Sequence, residues 1–396
     1  MRVMVSCGEP SGDLYAAALT RALRAREPGV EVWGFGGPRL RAAGAALAGD
    51  FDGLSVTGLT EAIRVVPRAY AMVRRLVAEA RRLRPDVFVA IDFPDFNFRL
   101  MAGIKALGIP VVYYISPQLW AWRPGRMATM QRFVDQVLVI FPFEEAIYRQ
   151  AGVPVTFVGH PLVDEVATTR DRTTLLRGLG LDPLRPTLAL LPGSRTNELQ
   201  RIAPTMAAAL PLIRAQVPAV QAVVAQAPGL SDALFAPFTS PATEGADAVP
   251  VARVRGATDD VLAACDVAVT ASGTATVQCA LHELPMVVVY RLSSLSYRLG
   301  KPFVKVDTYA MANLVAGERV VPELIQEAFT PERVATEAAA LLQDEARRLA
   351  MRVQLHRVRA RLGEPGASGR AAEAVLAVAR RERRRAEGGS RQGPEG

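Results

Sequence analysis

The most constraining feature of the sequence is a repeated order. A short apolar run is followed by a glycine turn with serine, threonine or proline, and then by an amphipathic helix. Leu190-Leu-Pro-Gly-Ser-Arg-Thr-Asn-Glu198 shows it best. Thr187 to Leu191 reads as a buried strand, Pro192-Gly193 breaks it, and the alanine-rich stretch from Leu199 to Val217 reads as a helix. Val267-Ala-Val-Thr-Ala-Ser-Gly-Thr-Ala-Thr276 repeats the order. A turn of this kind presents the backbone N–H groups of a helix start to whatever lies above the strand, which suits an anion. Two such turns on neighbouring strands of one parallel sheet would hold a diphosphate.

The same alternation runs through the chain. In the first half it predicts strands over 2–5, 30–35, 86–91, 110–115, 136–140 and 155–157. Helices are predicted over 14–26, 40–48, 67–83, 99–107, 126–133 and 143–151. The stretch from His160 to Thr173 reads as a linker. Strands at 188–191, 219–225, 252–254, 267–270 and 285–289 follow, with helices between them and further helices over 331–344, 345–361 and 367–383. Strands separated by helices at this spacing predict parallel sheets covered on both faces. The expectation is therefore an α/β protein of two Rossmann-like domains facing across a cleft, residues 1–165 and 174–330. C-terminal helices over 331–383 and a disordered tail over 384–396 would complete it. Neither half has Gly-x-Gly-x-x-Gly after its first strand, which argues against a dinucleotide oxidoreductase.

Composition narrows the class further. The chain has 396 residues and a net charge of +8, so nucleic acid, an anionic membrane face and simple arginine bias are all open on charge alone. Cys7, Cys265 and Cys279 have neither disulfide nor metal spacing and suit a reducing compartment. With three scattered histidines, no zinc site is expected, and no cofactor. Nothing at the N-terminus resembles a signal peptide, and no run reaches the length of a spanning helix.

Nine segments stand in the order seen in bacterial lipid-A-disaccharide synthases, which this chain resembles over about residues 3 to 380. They are Gly8-Glu-Pro-Ser-Gly-Asp13, Gly34-Phe-Gly-Gly-Pro38, Asp92-Phe-Pro-Asp-Phe-Asn97, Ser116-Pro-Gln-Leu-Trp-Ala-Trp-Arg123 and Gly159-His-Pro161. Leu190-Leu-Pro-Gly-Ser-Arg195, Ser272-Gly-Thr-Ala-Thr276, Pro285-Met-Val-Val-Val-Tyr-Arg291 and Val321-Pro-Glu-Leu-Ile-Gln326 complete the set. The resemblance implies an inverting, metal-independent transferase of the GT-B fold. It would move 2,3-diacylglucosamine from its UDP derivative to lipid X at the cytoplasmic face of the inner membrane, with no nucleic acid involved. It also implies a homodimer that exchanges C-terminal segments. Two departures from the family pattern stand out: Val277-Gln278 in place of Leu-Glu, and Met311-Ala312 in place of Leu-Pro before Asn313.

Candidate roles follow. Asp92 ends an apolar strand beside Phe93 and Phe96, an environment that raises a carboxylate pKa toward that of a general base; the resemblance singles out the same residue. The rival reading is a structural helix cap, for which Asp95 is better placed. Asp95 and Asn97 would hold the loop or bond sugar hydroxyls of the acceptor. Arg195 offers a planar guanidinium to the leaving diphosphate, with Gly193 and Ser194 beside it. Ser272, Gly273, Thr274 and Thr276 form the second anion turn, or are ordinary helix caps. Gln278, one turn further, would reach the nucleotide ribose, where GT-B enzymes commonly use a glutamate. Asn313 either binds donor or satisfies a loop. Gly8, Ser11, Gly12 and Asp13 make a tight turn for the acceptor. Met72, Val73 and Leu76, with Trp120 and Trp122, would meet the membrane, unless the helix packs Leu76 against its own sheet. Two readings compete with lipid A synthesis: a GT-B transferase or epimerase with a soluble substrate, and a basic lipid- or RNA-binding module without chemistry.

Overall fold

The computed structural model describes residues 1–51, 59–117, 119, 124–239, 248–292 and 308–389. The chain forms two compact units, Met1–Asp164 with the segment from Leu362 onward, and Glu165–Arg361.

Unit 1 begins β1 (Arg2–Ser6), α1 (Pro10–Arg26), β2 (Glu31–Gly36), α2 (Pro38–Ala42), β3 (Ala46–Asp50) and α3 (Leu59–Leu83). It continues with β4 (Val87–Ile91), α4 (Pro94–Lys105), β5 (Val111–Tyr114), α5 (Met127–Phe133), β6 (Gln136–Val139), α6 (Pro142–Gln150), β7 (Val155–Phe157) and α7 (Leu162–Glu165). The seven strands are parallel, in the order β3-β2-β1-β4-β5-β6-β7. Every residue of β4 is buried, as expected of a strand covered on both faces. The expected helix over 40–48 is corrected. Gly44 turns the chain at φ 93°, and the residues after it pair with β2 as an edge strand. The long arginine-rich helix starts at Leu59 rather than Pro67, with the proline inside it.

Unit 2 begins α8 (Arg172–Gly178), β8 (Thr187–Leu191), α9 (Thr196–Gln216), β9 (Gln221–Gln226), β10 (Val251–Arg255), α10 (Thr258–Ala264) and β11 (Val267–Ala271). Then come α11 (Thr274–Leu281), β12 (Met286–Tyr290), α12 (Met311–Ala316), β13 (Glu323–Ile325), α13 (Pro331–Gln343) and α14 (Glu345–Arg361). Its sheet is also parallel, in the order β10-β9-β8-β11-β12-β13.

The helices after residue 331 divide between the units. α13 packs on α9 and α14 on α11 and α12, whereas the last helix, α15 (Ala367–Gly389), packs on α1. Its buried face is Ala371, Ala372, Val375, Leu376 and Ala379. Arg26–Glu373 and Arg380–Glu27 ion pairs border it. The chain order of α15 continues past Arg385, where the sequence suggested order would end; residues 390–396 lie outside the described residues.

The return to unit 1 is stitched locally. His160 N–H donates to the Leu362 carbonyl at 2.8 Å, Asp164 accepts from Gly366 N–H at 2.6 Å, and Arg370 donates to the Val158 carbonyl at 2.8 Å. Among the described residues no helix is long and apolar enough to cross a membrane.

Candidate active site

In each sheet the strand order reverses once, between β1 and β4 in unit 1 and between β8 and β11 in unit 2. Ligands of open α/β sheets sit beyond the carboxyl ends of the strands at such switch points. The loops after these four strands, with the starts of the helices that follow them, hold most of the residues singled out from the sequence.

In unit 1 the loop after β4 is strained. Asp92 and Phe93 are consecutive residues in the left-handed region, at φ 46° and 50°, a conformation that costs on the order of 1–3 kcal/mol for each non-glycine residue. Its neighbours impose it. The Asp92 carbonyl accepts from the Tyr113 hydroxyl at 2.8 Å and from Asn97 Nδ2 at 2.7 Å, and its N–H donates to the Tyr114 carbonyl at 3.2 Å. Phe93 stacks on Phe96 at 5.4 Å, and Phe96 stacks on Phe35 at 4.9 Å. The loop after β1 reaches the same place, because a Cβ at Gly8 would stand 2.1 Å from the Phe93 ring. Glycine at position 8 is thus a condition for the two loops to meet.

Several expected acceptor contacts have other work. Asn97 is fully buried. Its Oδ1 accepts from Ser6 Oγ at 2.7 Å while Nδ2 holds Asp92, so it braces the loop instead of facing a sugar. Asp13, 1% exposed, accepts from the N–H groups of Gly37, Arg39 and Leu40 at 2.8, 2.8 and 3.0 Å. That satisfies the start of α2, and the role expected of Asp13 in acceptor binding is corrected to capping. Ser11 and Gly12 lie in the first turn of α1, with Gly12 buried. Asp95 is exposed in the first turn of α4 and forms an ion pair with Arg126, whose guanidinium also lies over the Phe98 ring at 5.2 Å. Tyr113 and Ser6 are site residues that sequence reasoning missed. Their signal was a hydroxyl inside an apolar strand, where it must find a partner.

His160 is buried between Tyr15 and Phe141, with ring centroids 6.0 and 5.4 Å away. Burial pushes its pKa down to about 3, so the ring is neutral. Its Nδ1 accepts the Leu162 N–H at 3.1 Å.

Of the residues expected to meet a membrane, Leu76 is fully buried in the core of unit 1, and Met72 and Val73 pack partly buried against that core. The expectation for Leu76 is corrected, because its face of α3 covers the sheet. Val66 and Tyr70, one turn apart on the same helix, are 45% and 47% exposed instead. Trp120 and Trp122 lie outside the described residues.

In unit 2 the two turns expected to hold an anion are neighbours, with Thr270 of β11 paired to Leu191 of β8. Gly193 adopts φ 127°, and a Cβ there would fall 2.4 Å from the Glu198 carboxylate. Glu198 reaches back to accept the Ser194 N–H at 2.9 Å. That donor, expected for phosphate, is engaged by a carboxylate of the same turn, which itself marks the spot as one that favours negative charge. Arg195 is the exposed N-cap residue of α9. Gly273, at φ 142°, precedes α11. Ser272 Oγ donates to the Tyr309 carbonyl at 3.0 Å and Thr276 Oγ1 to the Gly273 carbonyl at 2.8 Å, so both hydroxyls shape the turn. Thr274 is exposed at its tip. Gln278 Nε2 donates to Asp259 Oδ1 at 3.4 Å.

Asn313 is 1% exposed and saturated. Its Oδ1 accepts from Val320 and Val321 N–H at 2.8 and 2.9 Å, and its Nδ2 donates to the Val321 carbonyl and to Glu323 at 3.0 and 2.7 Å. The loop reading of Asn313 replaces the donor-contact reading. Among the described residues no group of three or more histidine, cysteine or acidic side chains is placed to hold a metal ion.

Comparison with known proteins agrees with this architecture. Among solved structures, UDP-GlcNAc 2-epimerase from Neisseria meningitidis bound to UDP-GlcNAc superposes with a TM-score of 0.65 at 11% identity, covering 95% of this chain and 100% of that one. The calicheamicin glycosyltransferase CalG4 gives 0.60 at 16% identity, covering 95% and 98%. These likenesses establish the fold: two Rossmann-like lobes of the GT-B type. Among curated proteins, the lipid-A-disaccharide synthase of Myxococcus xanthus (strain DK1622) is 45% identical over 376 residues, 95% of this chain and 97% of the relative. That of Syntrophus aciditrophicus (strain SB) is 44% identical over 376 residues, with the same coverage. The family model for lipid-A-disaccharide synthetase matches residues 3–378. The chain belongs to the lipid-A-disaccharide synthetase family.

Proposed function

We propose that Asp92 and Arg195 perform the glycosyl transfer of this family. The chain moves 2,3-diacylglucosamine from UDP-2,3-diacylglucosamine to the 6-hydroxyl of lipid X, releasing UDP, with inversion at the anomeric carbon. Asp92 accepts the proton of the attacking hydroxyl as its oxygen bonds to C1 of the donor. The bond from C1 to the UDP oxygen breaks, and Arg195 with the helix starts at Gly193 and Gly273 takes up the charge left on the diphosphate. Gln278 accepts a hydroxyl of the nucleotide ribose. Gly8 and Ser11 border the acceptor, with Asp95 placing Arg126 beside it.

The observation that supports this reading best is the strained Asp92-Phe93 pair at a switch point. Strain of this sort persists where surrounding bonds over-determine it, and it clusters at functional sites. A membrane-surface reading draws on Val66 and Tyr70, exposed one turn apart beside Arg99, whose guanidinium lies over the Tyr70 ring at 5.1 Å. The enzyme would take both acyl substrates from the cytoplasmic surface of the inner membrane. The partner proposed is a second copy that exchanges the C-terminal segment, so that the contacts of α15 on α1 are made between chains.

The test is transfer from UDP-2,3-diacylglucosamine to lipid X in detergent micelles with EDTA present, comparing wild type with Asp92→Ala. Disaccharide formation that survives EDTA and is lost in the variant supports donor, acceptor and base together. UDP binding without disaccharide from wild type would sink the substrate assignment.

A further inference from the structure

Gln278 lies on α11 and His282, one turn further, is its C-cap residue, and both side chains meet one carboxylate on α10. Asp259 Oδ1 is 3.0 Å from His282 Nε2 and 3.4 Å from Gln278 Nε2. The contact is sheltered, with the His282 side chain 9% and that of Asp259 22% exposed. A carboxylate has lone pairs and no hydrogen to give. The NH₂ end of Gln278 must therefore turn toward Asp259, and a neutral His282 must carry its hydrogen on Nε2. What Gln278 has left to offer is its carbonyl oxygen, an acceptor only. An amide without such a neighbour presents either end.

We propose that Asp259 is a positioning residue for the donor nucleotide: it takes the donor end of Gln278, with His282 holding it in place, so that Gln278 meets a ribose hydroxyl as a pure acceptor. This rests on the reading of Gln278 as a ribose contact. The acceptor sits on α11 and the negative charge on α10. A glutamate at 278 would bring a second carboxylate against Asp259 at about the same separation, and like charges that close oppose each other's ionisation. In this chain Gln278→Glu is therefore harmful, unless Asp259 is neutralised with it.

The experiment measures affinity for UDP, 2′-deoxy-UDP and 3′-deoxy-UDP, and donor KM against kcat, in wild type, Asp259→Asn, Gln278→Glu and the double variant, with melting temperatures alongside. Wild type should prefer UDP over at least one deoxy analogue by roughly three- to tenfold, the worth of one neutral hydrogen bond. Gln278→Glu should weaken UDP by a similar factor, and adding Asp259→Asn should bring it back to within about twofold of wild type. Asp259→Asn alone should raise donor KM and lower the preference for UDP while kcat and acceptor KM hold. A double variant no better than Gln278→Glu overturns the proposal. So does an Asp259→Asn variant that melts lower but discriminates as wild type does, since that is a packing role only. Wild type that binds both deoxy analogues as tightly as UDP would instead overturn the ribose reading on which the proposal stands.

Discussion

Replacing Asn97 with alanine separates the pose of Asp92 from its chemistry, because Asn97 never touches the reacting groups proposed here. The substitution removes the 2.7 Å bond to the Asp92 carbonyl and the 2.7 Å acceptor of Ser6 Oγ. Two neutral hydrogen bonds are worth about 0.5–1.5 kcal/mol each, and leaving the buried Ser6 hydroxyl unmade adds a desolvation penalty of about 1–3 kcal/mol. The expected loss is about 2–6 kcal/mol. For a unit of this size that lowers the melting temperature by roughly 4–24 °C. Tyr113→Phe is the graded comparison, since it removes only the 2.8 Å bond to the same carbonyl, about 1 kcal/mol. With Asn97 gone the left-handed pair is under-determined and the carboxylate shifts; a displacement of about 1 Å can cost on the order of 100-fold in rate. We expect kcat to fall roughly 10- to 100-fold in Asn97→Ala and a few-fold in Tyr113→Phe, with donor KM unchanged, because the donor turns belong to unit 2. The assay is steady-state transfer well below the melting transition, with differential scanning calorimetry on the same preparations. An Asn97→Ala enzyme that melts lower yet turns over at the wild-type rate would refute the link between backbone pose and catalysis.

Three further outcomes follow from the structure. Gly193→Ala forces a Cβ into the Glu198 carboxylate at a φ of 127°; donor KM should rise more than tenfold with little effect on acceptor KM, and an unchanged donor KM would count against this turn as the diphosphate site. His160 is held neutral, with a pKa of about 3 against an ordinary 6.5. The unfolded chain binds the extra proton between those values, so stability is full above about pH 6.5 and is lost as pH falls toward 3. His160→Phe should flatten that part of a melting-temperature profile, and an unaltered slope would place the acid sensitivity elsewhere. Deleting residues from Leu362 onward uncovers the face of α1 beneath α15, and unit 1 should lose its cooperative melt while the calorimetric transition of unit 2 persists.

Much of the fold was legible because strands such as Val87–Ile91 and Val267–Ala271 are continuous apolar runs bounded by turn residues, a local signal. The strand–turn–helix order at Pro192-Gly193 and at Ser272-Gly273 was legible for the same reason. Leu40–Ala48 misled because alanines fit helix or edge strand equally, and only pairing to β2 decides between them. Side-chain roles were harder to read. Asp13 finds its partners on α2, Asn97 on β1, and Asn313 around Val320–Glu323. A buried polar residue braced by distant backbone looks, in a sequence, like one waiting for a ligand. The contact of Gln278 with Asp259 was invisible likewise, since it joins two helices separated by a strand.

Unit 2 is an excursion from unit 1, leaving after Asp164 and rejoining at Leu362. On the ribosome this reverses the apparent order of events. Residues 1–164 of unit 1 are synthesised before unit 2, yet the helix that covers α1 emerges only after unit 2. All of residues 165–361 are out of the tunnel, as one contiguous stretch able to fold as it appears, while unit 1 still waits for its final layer. Whatever assists the nascent chain must shelter the apolar side of α1 throughout that interval, and a stalled or truncated message would yield a finished second unit attached to an unfinished first.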